Sequence, residues 1–167
     1  MAVGTDTEME PETPPARTVV VGIGNALRGD DAAGLEVLRR LAREPLPDGV
    51  QLRECSGEPA SLLAAWSGAE VLVLVDAAES GDPPGTVRRY DVSVGGLPAE
   101  RLRHSTHALG PAEAIELSRA LGTLPSRATV FTVEGETYGH GEDLSEKVAA
   151  GIAEATRQIL AEFKAVQ

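Results

Sequence analysis

Two adjacent aspartates, Asp30 and Asp31, sit near the end of a glycine-rich segment, Gly22-Ile-Gly-Asn-Ala-Leu-Arg-Gly-Asp-Asp-Ala-Ala-Gly34, and a third, Asp76, follows the apolar run Val71-Leu-Val-Leu-Val75. Such carboxylates bind divalent cations or move protons, and either task needs them gathered at a cleft rather than spread over a solvated face. His107, in Ser105-Thr-His-Ala-Leu109, opens a predicted helix and has His104 as a near neighbour. Two carboxylates and one imidazole at strand-to-helix junctions make a divalent-metal site with open positions. Plainer readings stand beside this one. Acids in a helix's first turn favour its dipole, which suits Asp30 as an N-cap and leaves Asp31 as the more interesting of the pair. Asp76 reads equally as a turn cap, and a lone histidine as structural or solvated. Asn25 shapes the turn, Arg28 is solvated or meets a substrate backbone, and His140 belongs to a mobile loop, Gly139-His-Gly141.

Other chemistries fail on their own requirements. A dinucleotide fingerprint needs a small residue where Leu27 stands. The spacing from Gly24 to Gly29 imitates a phosphate loop, but Asp30 and Asp31 follow where a lysine should meet the phosphates, and they would repel the anion. None of the histidines starts a His-Glu-x-x-His pattern, and no Gly-x-Ser-x-Gly elbow occurs. Cys55, the only cysteine, can form no internal disulfide and reads as an inert buried thiol at a strand end.

The elements that must position these residues follow from hydrophobic pattern. Thr18-Val-Val-Val-Gly-Ile-Gly24 and Glu70-Val-Leu-Val-Leu-Val-Asp76 are strands covered on both faces. Val50–Cys55 alternates as a strand, Thr86–Asp91 is a more exposed edge strand carrying Arg88 and Arg89, and Ala128–Val133 is the last strand. Gly34, Val37, Leu38 and Leu41 mark a helix, as do 59–66, 107–121 and the stripe Leu144, Val148, Ile152, Ala155, Ile159, Phe163. Strands alternating with helices imply a three-layer α/β/α domain with a largely parallel sheet. Residues 1–17, rich in acids and proline, are expected to be a disordered acidic tail, with the domain spanning 18–167. The chain of 167 residues carries 15 basic and 26 acidic side chains, a net charge of −11, which disfavours nucleic acid and anionic membranes as partners. No run is apolar enough to span a bilayer and the amino terminus lacks a secretory pattern, so a cytoplasmic protein is expected.

In order and spacing, Gly22-Ile-Gly-Asn-Ala-Leu-Arg-Gly-Asp-Asp31, Leu74-Val-Asp76-Ala with Pro84-Gly-Thr86, and Ser105-Thr-His107 resemble the nickel–iron hydrogenase maturation endopeptidases, from about residue 18 to about residue 160. The resemblance implies a five-stranded, mostly parallel twisted sheet of order 2-1-3-5-4 with strand 4 antiparallel. It also implies a monomeric, aspartyl-type protease that removes the C-terminal extension of a hydrogenase large-subunit precursor once nickel is inserted. Asp31, Asp76 and His107 would contact that nickel, supplied by the precursor, and Asp31 and Asp76 would be catalytic. Ala32 stands where many members have glycine, and Thr106 where many have proline. The competing expectations are a nickel- or precursor-binding chaperone that does not cut, and a nucleotide-binding module.

Overall fold

The computed structural model of the chain describes residues 17–98 and 110–165. Its first strand, β1 (Thr18–Ile23), is buried at every position after Thr18. Successive side chains of a strand point to opposite faces, so such a run requires a cover on each side. Val19, Val21 and Ile23 face helices α2 (Pro59–Ala65) and α3 (Pro111–Ala120), together with Leu72 and Leu74. Val20 faces α1 (Ala33–Leu41) and α4 (Glu146–Ala165), in company with Val73, Val75, Phe131 and Val133. These two cores make the three layers. Val148, Ile152, Ala155 and Ile159, four members of the C-terminal stripe, are fully buried along α4. No helix among the described residues is long and apolar enough to cross a membrane.

The remaining strands are β2 (Val50–Cys55), β3 (Val71–Ala78), β4 (Val87–Asp91) and β5 (Arg127–Glu134). They form one sheet in the order β2-β1-β3-β5-β4. β1 is parallel to β2 and β3, β3 is parallel to β5, and the edge strand β4 is antiparallel to β5. This is the expected architecture and strand order. β1 runs on to β2 on one side while β3 lies on its other, so the crossover direction reverses between β1 and β3, and the crevice outside their carboxyl ends is the place where such sheets bind ligands.

Two expectations need correction. β3 does not end at Asp76: its ladder with β5 continues to Ala78↔Glu134, because Val133 and Glu134 prolong the partner strand. Its pairing with β1, however, stops at Gly22↔Val75, so Asp76 is the first β3 residue beyond its β1 neighbour. Asp30 does not cap α1. The cap position is Ala32, which makes no side-chain cap bond, since a 3-10 turn (Gly29–Ala32) precedes the helix and directs Asp30 elsewhere.

Glycine is required where α1 crosses these strand ends. A Cβ on Gly34 would lie 2.3 Å from the Ile23 carbonyl oxygen and 2.5 Å from that of Val75, distances at which backbone atoms collide. The glycine thus lets α1 lie directly on the ends of β1 and β3, carrying the preceding turn to the mouth of the crevice.

The predicted acidic tail, apart from Arg17, lies outside the described residues, as do His104 and His107. Arg17 itself joins the fold: its carbonyl accepts hydrogen bonds from the N–H groups of Glu70 (3.0 Å) and Val71 (3.3 Å).

Candidate active site

After β1 the chain makes a closed loop that returns Asp31 to the strand end. Gly24 N–H donates to the Cys55 carbonyl at 3.1 Å, Asn25 N–H to that of Asp31 at 3.3 Å, and Asp31 N–H to that of Arg28 at 3.1 Å. Asn25 Oδ1 accepts from Leu27 N–H at 2.9 Å, the turn-shaping role expected of an asparagine. A Cβ on Gly24 would come within 2.1 Å of the Asp31 carbonyl oxygen, so only glycine permits this closure.

Asp31 is half-buried and Asp76 buried. Burial pushes the Asp76 carboxyl well above the usual carboxylate range, and the negative charge of Asp31 pushes it further, against the 2.8 Å hydrogen bond that Ala77 N–H donates to Oδ1. The structure therefore brings Asp31 and Asp76 into electrostatic contact at the switch point. A carboxyl whose proton affinity is raised in this way, beside a second carboxylate, can take a proton from, or give one to, a group that enters the crevice. The oxygens of Asp31 and Asp76 also suit a divalent cation, whose charge would offset the burial and the repulsion that raise the proton affinity of Asp76. Among the described residues no three His, Cys, Asp or Glu side chains cluster to hold an ion, and the third expected ligand, His107, lies outside them.

Asp30, one residue away, has the opposite environment. It is fully buried and its carboxylate accepts from the N–H groups of Glu136 (2.8 Å), Thr137 (2.9 Å) and Ser145 (2.8 Å), and from the hydroxyls of Ser145 (3.1 Å) and Thr137 (3.4 Å). Burial pushes its pKa up, but the bonds from Ser145, Thr137 and Glu136 more than offset this and leave it below the ordinary value. Its own N–H donates to the Thr137 carbonyl at 2.7 Å. Asp30 thus ties the turn bearing Asp31 to the segment between β5 and α4.

Glu134 makes a second tie that sequence reasoning missed. Buried at the end of β5, it accepts from Ser80 N–H and Ser80 Oγ, both at 2.8 Å, and from Gly81 N–H at 3.0 Å. Beside it, Tyr138 donates its hydroxyl to the Ala78 carbonyl at 2.5 Å, and burial, with the charges of Glu134 and Glu79, raises the phenol's pKa. The signal was present: Glu134 is an acid closing an apolar strand, the same pattern that singled out Asp76. His140 is exposed, in a turn that Gly141 N–H links to the Leu27 carbonyl at 2.9 Å. Cys55 is a free, buried thiol at the end of β2, as expected. Arg28 is half-buried rather than solvated.

Comparison with known proteins agrees with this fold. Residues 35–162 match the family model described as hydrogenase maturation protease. The hydrogenase expression/formation protein HupD of Rhodobacter capsulatus is 32% identical over 159 residues, covering 90% of this chain and 75% of that protein. The hydrogenase 2 maturation protease of Escherichia coli K12 is 30% identical over 151 residues, covering 89% and 91%. The solved structure of the hydrogenase maturating endopeptidase HybD from E. coli superposes with a TM-score of 0.73 at 27% identity, covering 90% of this chain and 93% of that one.

Proposed function

Because the chain belongs to the hydrogenase maturation protease family, and is therefore a peptidase of hydrogenase processing, we propose that it removes the C-terminal extension of a nickel–iron hydrogenase large-subunit precursor after nickel insertion. The observation that carries this reading is the buried Asp76 facing the charge of Asp31 at the switch point of the sheet. Nickel is part of the substrate in this account: it arrives held by the precursor, and Asp31, Asp76 and His107 contact it there. That contact places the peptide to be cut against the carboxyl pair. Asp76 or Asp31 then takes the proton of the attacking water and returns one to the departing amine, as an aspartyl-type endopeptidase requires. Donors of this type, two carboxylates and an imidazole without a thiolate, bind a lone nickel ion weakly, so the site fills only when a loaded precursor presents its own.

The reaction is assigned to the cytoplasm and to a monomer. The one cysteine, free and buried, is consistent with a reducing compartment. Incubating the purified chain with nickel-loaded precursor and weighing the products tests the reading. A large subunit shortened by a C-terminal fragment supports it, and an unchanged precursor mass overturns it.

A further inference from the structure

Four large apolar side chains are exposed among the described residues: Leu27, Val94, Leu117 and Leu121. Leu117 and Leu121 lie one turn apart at the C-terminal end of α3, and Val94 follows β4. Leu27 differs in being four residues before Asp31, on the loop that forms the rim of the site, with 69% of its surface exposed. An isolated surface leucine is ordinary. This one is held in water by main-chain bonds on both sides. Its N–H donates to Asn25 Oδ1 at 2.9 Å, its carbonyl accepts from Gly141 N–H at 2.9 Å, and Arg28 N–H bonds the Asn25 carbonyl at 3.2 Å. The five donors on Asp30 anchor the same loop three residues further on. Its backbone is thus ordered before any partner arrives, which lowers the entropy lost on binding. Next to it, the cationic Arg28 is half-buried, and its buried Nε has no hydrogen-bond partner among the described residues.

We propose that Leu27 and Arg28 form a two-point reading edge for the precursor segment entering the crevice. Leu27 receives an apolar side chain beside the scissile peptide, and Arg28 donates to a main-chain carbonyl of the same extended segment. The inference rests on the proposed processing of the precursor and names how that substrate is read.

Steady-state cleavage of nickel-loaded precursor, followed by product mass, tests it. Leu27→Ser should raise KM about tenfold with kcat unchanged, the scale expected for losing the burial of one apolar side chain. Arg28→Gln should raise KM by about tenfold or more, the worth of one hydrogen bond to a charged donor. Leu27→Met, which keeps an apolar side chain, should restore the wild-type KM, and the urea midpoint of Leu27→Ser should match wild type. An unchanged KM in either Leu27→Ser or Arg28→Gln, a fall in kcat alone, or a Leu27→Ser protein that does not fold would overturn the reading edge while the wild type still cuts. If the wild type fails to cut loaded precursor, the proposed function falls and the edge falls with it.

Discussion

Asp30 and Asp76 are both buried carboxylates at the carboxyl end of the sheet, yet their surroundings differ in kind. Asp30 meets five donors from the segment after β5, whereas Asp76 accepts one hydrogen bond among the described residues, from its own neighbour Ala77, and faces a second carboxylate. The first region uses its charge inside the fold. The second withholds it, so that proton affinity and oxygen ligands stay available to whatever enters. Burial alone separates neither role from the other; the supply of donors does.

The largest effect that tests this contrast belongs to Asp76→Asn. Processing should fall by about a thousandfold or more, in keeping with the loss of a general acid–base group, as followed by product mass. Stability should move the other way. Since the folded Asp76 keeps its proton over a pH range where the unfolded residue has released it, its burial costs more stability as pH rises above the ordinary carboxylate value. The asparagine variant escapes that cost. Its melting temperature should match or exceed wild type, with a larger gain at pH 7 than at pH 4.

Asp30→Asn should do the reverse. An amide cannot accept from all five donors, so the variant should lose about 3 kcal/mol in urea unfolding at neutral pH. A lowered folded pKa means the stability contributed by Asp30 is present above the unfolded value and lost as pH falls through the folded one. The deficit of the variant should therefore shrink on acidification below about pH 4. A deficit that stays constant with pH would show that the charge of Asp30 is irrelevant to its role.

A smaller effect is expected of Glu134→Gln. One amide oxygen still accepts from Ser80 or Gly81, so the urea midpoint should fall by the equivalent of about 1 to 2 kcal/mol. This change would place Glu134 with Asp30 rather than with Asp76. A large loss of processing at unchanged stability would move it to the other side of the comparison.

The apolar runs from Thr18 and from Val71 announced the two-sided strands, because only helices on both faces can bury them. The pairing of Asp31 with Asp76 was also legible, through their positions after β1 and on β3 and through the likeness to the family. The roles within the acidic pair were legible only in part. Asp31 was singled out from the pair and is the one whose charge acts on Asp76, but Asp30 looked like a helix cap, since its partners, Glu136, Thr137 and Ser145, lie more than a hundred residues along the chain and local pattern carries no trace of them. Glu134 carried a local signal, an acid closing an apolar strand, but its partners Ser80 and Gly81, which reach it only through the β3–β5 pairing, left no trace in local pattern.

In the proposed function the Asp31–Asp76 pair acts on nickel presented by the precursor. One paired measurement tests it most directly: the masses produced by chelator-treated protein from the same precursor with and without nickel. A shortened large subunit is expected from the nickel-loaded precursor alone. Equal cutting of the nickel-free precursor would contradict it.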